Sequence, residues 1–220
     1  MSLEAIHLWK LLKLLYLEPN QQVSEMRSDI RMDIARERGA AGDGGDFHGP
    51  FWKDARDHVF NIRDLRESVR ERIASNASRA RLYPRLRDGF LQWWDQRRRW
   101  TNEPFHPVRS PHARFRLGDL GTIKIENILA VRDAAGTDHF VYPYFSEKPP
   151  LSEEGARIGL WLLAAAIPAG NPEDMRILDV IRGQTFSLDR YPLTGDEEAI
   201  VRRRYASLLA QWRALRDEYS

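Results

Sequence analysis

The chain has 220 residues, with 42% apolar and 30% charged residues, 34 Lys and Arg against 32 Asp and Glu, and no cysteine. That is enough apolar material for a sizeable core in one large or two small units, and the balance is that of a globular protein, not a disordered or fibrous one. Without cysteine, disulfides and thiolate metal sites are excluded, any metal must take histidine and oxygen ligands, and a reducing, cytoplasmic setting is the expectation.

The first predicted helix runs from about Leu3 to Leu17. It is apolar, but Glu4, Lys10 and Lys13 interrupt it and no small-residue cleavage site follows, which argues against a secretory signal. After a turn at Pro19 and Asn20, Met26, Ile30 and Ile34 recur every fourth residue in a short amphipathic helix. Arg38 to Gly49 reads as a glycine-rich loop. Pro50 suits the first turn of a third helix, striped by Phe51, Ala55, Val59 and Ile62. Asp64 followed by Glu67 is a capping-box variant that restarts the helix, and Leu65, Val69 and Ile73 continue its apolar face. Pro84 bends or restarts the next segment, where Leu86, Phe90, Trp93, Trp94 and Trp100 lie among Asp95, Arg97, Arg98 and Arg99. Residues 1–103 therefore read as a helical region.

Residues 104–120, with Pro104, Pro107 and Pro111, have neither helical nor strand periodicity and read as a connector. Thr122 to Arg132 alternates, with Ile123, Ile125, Asn127, Leu129 and Val131 on one face, as one strand does. Asp133 to Thr137 has turn chemistry, so Asp138 to Ser146 becomes the second arm of a hairpin; Pro143 places that arm at a sheet edge. Ser152 can cap a helix with Glu153 and Glu154 in its first turn. Its run from Ile158 to Ile167 is apolar nearly all round, as in a buried helix, and is about half the length needed to cross a bilayer, so no membrane partner is expected. Arg176 to Arg182 and Thr185 to Asp189 flank Gly183 and Gln184 as a second hairpin. Thr194 with Glu197 makes another capping box, and Val201, Tyr205, Leu208, Trp212, Leu215 and Tyr219 stripe the terminal helix. Residues 121–220 thus read β-β-α-β-β-α. The expected fold is α+β, an N-terminal helical region followed by an antiparallel β-sheet of two hairpins packed with helices. Two hairpins around a buried helix resemble, in topology alone, nuclease cores with an acid on one strand and Glu-x-Lys on the next; the Glu-x-Lys has no counterpart on the second strand.

Two groups of residues carry candidate chemistry. Asp46 to His58 packs two of the six histidines among carboxylates and aromatic rings. With a helix beginning near Pro50, Asp54 and His58 are four apart on one face, and Asp46 and His48 could fold back from the loop to complete an oxygen and nitrogen shell for Zn, Mn or Fe. Water on such a divalent metal could attack a phosphoester or amide, with Asp57 carrying a proton. The plainer reading is capping, packing and pairing with arginine. The second group is basic. Between Phe60 and Arg116, 14 Arg face 6 Asp or Glu, which concentrates the positive charge there. Arg81, Arg85, Trp93, Trp94, Arg97, Arg98, Arg99 and Trp100 could together neutralise phosphates and stack bases, although tryptophans at this spacing equally make a buried stripe.

The leading expectation is therefore a non-catalytic binding or accessory protein, contacting nucleic acid or an acidic protein partner through that basic Arg/Trp region. The second is a metal-dependent, nuclease-like hydrolase built on Asp46, His48, Asp54 and His58. The third is a structural subunit of a homo-oligomer, whose apolar first helix and aromatic terminal helix bury their faces against other copies.

Overall fold

The structure, a computed structural model, describes residues 3–39, 47–98 and 104–219, without the side chains of Arg97 and Arg98. Among these residues the strands are β1 (Ala5–His7), β2 (His106–Pro107), β3 (Ala113–Arg116), β4 (Thr122–Ile125), β5 (Leu129–Arg132), β6 (Asp138–Tyr144), β7 (Met175–Asp179) and β8 (Gln184–Phe186). The helices are α1 (Leu8–Tyr16), α2 (Pro19–Glu37), α3 (Gly49–Val59), α4 (Leu65–Ser75), α5 (Tyr83–Arg98), α6 (Glu153–Ala166) and α7 (Glu197–Asp217). The fold is α+β, with helices and two mixed sheets, one ordered β1-β4-β3 and the other β2-β5-β6-β7-β8.

Both hairpins form, β5 with β6 and β7 with β8, but the strands that join them, β6 and β7, run parallel through α6. The continuous strand expected over Thr122 to Arg132 is two strands in two sheets. Asn127, at φ 64°, breaks it; asparagine tolerates this left-handed conformation better than most residues. Its carbonyl accepts the Trp52 indole N–H at 2.5 Å. The start of the predicted first helix is strand β1, which pairs parallel with β4 in the register Ile6 to Ile123. The proline-containing segment supplies β2 to one sheet and β3 to the other. Pro143 lies inside a central strand, where its missing N–H is tolerated because the β5 ladder has already ended at Val141.

Two of the three expected caps form, at Asp64 and Ser152; at the third, α7 begins at Glu197 after an Asp196 N-cap that makes no side-chain cap, and the Thr194 hydroxyl donates to Glu197 instead of capping. The Asp64 carboxylate accepts from Glu67 N–H at 3.0 Å and the Ser152 hydroxyl from Gly155 N–H at 3.1 Å, each satisfying one helix-end donor. Glu197, buried, accepts from Thr194 N–H at 2.7 Å and Gly195 N–H at 3.0 Å. Burial works to raise its pKa, but these hydrogen bonds hold it below the ordinary glutamate range.

The five-stranded sheet is buried on both faces, as a βαβ arrangement requires. Tyr142, Tyr144, Met175 and Ile177 face α1, α2, α6, α7 and the smaller sheet. Val141, Leu178 and Val180 face the other way, onto α3, α4 and α5. Contact on that second side is close: a Cβ on Gly89 of α5 would lie 2.2 Å from the Val180 carbonyl oxygen, so only glycine lets the helix reach the turn after β7. The leucines of α1 and the Val201 to Leu215 stripe of α7 are buried within the chain, so their burial needs no second copy. No described helix is long and apolar enough to cross a membrane.

Candidate functional site

The residues singled out between Asp46 and His58 do not converge on one point. Asp54 is buried, and both its oxygens are taken by Arg72 of α4, with Nε at 2.9 Å and the terminal nitrogen Nη2 at 3.0 Å. His58 turns to the α3–α4 junction, where Nδ1 accepts from Leu65 N–H at 3.2 Å. Asp57 pairs with Lys53 at 2.6 Å on the helix surface. His48 sits at the start of α3 and stacks on Phe145, with ring centroids 4.8 Å apart and planes 10° apart. Asp46 lies outside the described residues. Among those described, no group of three or more His, Asp or Glu is arranged to hold a metal ion.

The basic stripe divides too. Trp93 and Trp94 are each only 4% exposed and belong to the core beneath α5, because the face they share with Leu86 and Phe90 is the one that meets the sheet. Arg81 and Arg85 are exposed and converge on the Glu147 carboxylate, Arg81 through a fork at 3.0 and 2.5 Å. Burial acts to raise the Glu147 pKa, yet the two guanidinium groups hold it below the ordinary value. Arg97 and Arg98 close α5, with side chains outside the described set, and Arg99 and Trp100 lie outside it altogether.

What the fold does assemble is a groove at the carboxyl end of β6, beside its parallel neighbour β7. In open sheets with parallel strands this is the usual place for a ligand, because the connections diverge there. The segment after β6 forms one wall and is pinned from below by Arg182. One terminal nitrogen of that guanidinium donates to the Asp179 carboxylate at 2.9 and 3.1 Å and to the Ser146 carbonyl at 3.2 Å; the other donates to the Glu147 carbonyl at 2.7 Å. Asp179, 1% exposed, also accepts from Leu151 N–H at 3.3 Å, so one ion pair holds both ends of the segment. Burial raises the Asp179 pKa, with Arg182 opposing the rise. Within the segment, the Ser146 hydroxyl donates to the Lys148 carbonyl at 2.6 Å and the Tyr144 hydroxyl to the Pro149 carbonyl at 2.9 Å.

The opposite wall comes from α1, α2 and the residues leading into α3. The Trp9 N–H, one of the donors at the α1 N-terminus, is satisfied at 3.0 Å by the Tyr142 hydroxyl, which fixes the indole beside His48 at 5.5 Å between ring centroids. The resulting cavity, about 600 Å³, has Trp9, Phe47, His48 and Phe145 at its aromatic end. A second cavity, about 510 Å³, shares Lys13, Glu25 and Lys148 with it and continues to Arg31. Four cations, Lys13, Arg31, Arg81 and Lys148, thus border the groove against two carboxylates, Glu25 and Glu147. Both carboxylates are already engaged: Glu25 by Lys10 and Lys13 at 2.7 and 2.6 Å, Glu147 by Arg81 and Arg85. Lys148, exposed, and Arg31 have no ion pair among the described residues, so the groove carries surplus positive charge next to aromatic rings.

Of the residues expected from sequence, this groove gathers His48 and Arg81. Trp9, Lys13, Phe145 and Lys148, and the Asp179 and Arg182 pair beneath them, are brought in by the fold. The sequence signals were slight: lysines interrupting an apolar helix, and a Glu-Lys pair just past a strand end. Compared with protein-family models, curated proteins and solved structures, the chain matches none.

Proposed function

We propose that the protein is a non-catalytic binding module that takes a single-stranded nucleic acid into the groove at the carboxyl end of β6. The observation that carries this reading is the continuity of an aromatic end, Trp9, Phe47, His48 and Phe145, with a channel bordered by Lys13, Lys148 and Arg31. Stacking on aromatic rings and neutralisation of successive phosphates are the two needs of a single strand, and neither reads sequence. Relative to the sequence expectation the contact surface moves: Arg81 stays, the buried Trp93 and Trp94 leave, and the α1 and β6 sides enter.

The test is fluorescence anisotropy of a labelled oligothymidylate across a potassium chloride series. Affinity is expected to fall steeply with salt, and replacing Lys148 and Arg31 together by Gln should reduce the slope of log K against log salt by about 1.4, two phosphate contacts at about 0.7 each for a single strand. Trp9→Ala should weaken binding at every salt concentration by about 1 to 3 kcal/mol, the worth of one stacked base. Glu147→Gln should strengthen it, because Arg81 and Arg85 lose their internal counter-charge. Salt-independent affinity, or a Glu147→Gln variant that binds more weakly while its thermal unfolding is unchanged, would refute the reading. Equal competition by a poly-glutamate peptide would reassign the groove to an acidic protein partner.

A further inference from the structure

We propose that the solvent face of the three-stranded sheet is a second phosphate-binding surface, over which a single strand held in the groove continues. The ligand class rests on the groove reading; the geometry of the face does not. The registers of β1, β4 and β3 sort the side chains into two sets. Ile6, Ile123 and Phe115 share a row and, with Ile125, turn to the core, where Phe115 meets the Trp161 ring. The opposite face carries His7, Lys124 and Arg114 in one row and Ala5, Thr122 and Arg116 in the next.

The charge on that face is unbalanced. Lys124 and Arg114 are direct cross-strand partners of like sign, an arrangement that costs stability. Neither has an ion pair among the described residues, and Arg116 donates from Nε only to the Gly118 carbonyl, at 3.2 Å. The nearby acids do not offset the three cations. Glu126 lies 3.8 Å from His7 Nδ1, at the β1 end of the row, and Glu4 pairs with Arg213 at 3.3 Å. Asp119, exposed in the β3–β4 turn, makes no ion pair with any of the three among the described residues. Guarding a free sheet edge would account for charge on β3 alone, whereas Lys124 stands on the central strand.

The occupant follows from the direction of the charge. The row crosses the strands, so it suits a chain of phosphates passing over the sheet. A peptide added to β3 would run along the edge instead, beside Arg114 and Arg116 but away from Lys124. The uncharged residues of the face, Ala5 and Thr122, offer no large apolar side chain to enter a lipid surface. Nor does the face offer the ring stack of the groove, so its contact is with the backbone. His7 is the residue before α1 and stands two positions from Trp9, so the row begins beside the stacking end of the groove.

Fluorescence anisotropy with labelled oligothymidylates of about 5 and about 20 nucleotides, the first short enough for the groove alone, separates the two surfaces. Replacing Arg114, Arg116 and Lys124 together by Gln should lower the slope of log K against log salt by about 2 for the long oligomer, three phosphates at about 0.7 each, and leave the short one as in the parent. Arg114→Glu is the sharper variant. It gives Lys124 an opposite charge across the strands, so the midpoint of thermal unfolding should rise while affinity for the long oligomer falls, a combination that damage to the fold does not produce. An unchanged slope on the long oligomer, or an equal loss on both lengths, would overturn the proposal. Loss of phosphatidylserine-vesicle binding in the triple variant, with the long oligomer unaffected, would reassign the face to a membrane surface. If Trp9→Ala left the short oligomer's affinity unchanged while the triple variant still lowered the slope on the long one, the groove reading would fail and the face would stand.

Discussion

Replacing Arg182 by Met is expected to destabilise the protein by about 3 to 5 kcal/mol near neutral pH, read as the shift of urea unfolding curves, because it removes one partner of a buried ion pair and leaves the other charge uncompensated. Asp179 is only 1% exposed, so its carboxylate cannot recover water in exchange for the lost guanidinium. The carbonyls of Ser146 and Glu147 lose their donor in the same step. The loss should depend on pH, with a definite sign. Burial already raises the Asp179 pKa above the ordinary aspartate value of 3.8, and Arg182 is the foremost group opposing that rise, so the variant raises it further. An acid whose pKa is raised on folding holds its proton more tightly in the folded state. Its destabilising contribution is relieved as pH falls through the folded pKa towards the unfolded one, and returns as pH rises through it. Arg182→Met should therefore cost less at about pH 4.5 than at about pH 8, and adding Asp179→Asn should recover much of the loss at the higher pH. A cost below about 1 kcal/mol at both pH values would show that the pair does not hold the segment.

That segment also shows why the fold was more legible than the site. Features written within a few residues came through: the caps at Asp64 and Ser152 depend on a side chain and an amide three positions apart, and the β5–β6 turn depends on Asp133, Gly136 and Thr137 alone. The apolar run of α6 was equally plain, and Ile158, Leu160, Leu162 and Leu163 are buried, although Ala165 on its other side is exposed. Features that depend on a distant partner did not come through. β1 is three residues whose only reason to extend is pairing with β4, and Asn127 splits an alternating run by adopting a left-handed conformation that alternation cannot reveal. The tryptophans of α5 had the right spacing for a stripe, but spacing alone does not say whether a stripe meets solvent or a sheet. The groove is a more extreme case. Its wall after β6 takes its shape from Arg182, on the far side of α6, and its aromatic end joins Trp9, His48 and Phe145 from three separate elements.

The Asp54 and Arg72 pair separates a structural carboxylate from a metal ligand by an asymmetry in cost. Both oxygens of Asp54 are bonded to one guanidinium, an arrangement that favours arginine over lysine because the fork matches the carboxylate. The side chains differ in exposure, 3% for Asp54 and 33% for Arg72. With Arg72→Ala the carboxylate remains between α3 and α4 without a partner and without water, and a loss of about 3 to 5 kcal/mol is expected. With Asp54→Ala the guanidinium can swing its charged end to solvent on its flexible stem, so the loss should be nearer 1 to 3 kcal/mol. Asp54 also holds the guanidinium still more firmly protonated than a free arginine. Replacing both residues by leucine should restore much of the stability, because an apolar pair between the helices avoids desolvating two charges. Urea unfolding of the three proteins decides the matter. If Asp54→Ala cost as much as Arg72→Ala, or if zinc restored stability to Arg72→Ala by occupying the vacated side of the carboxylate, the residue would have a capacity beyond joining two helices, and the spacing of Asp54 and His58 would regain the meaning it has in sequence.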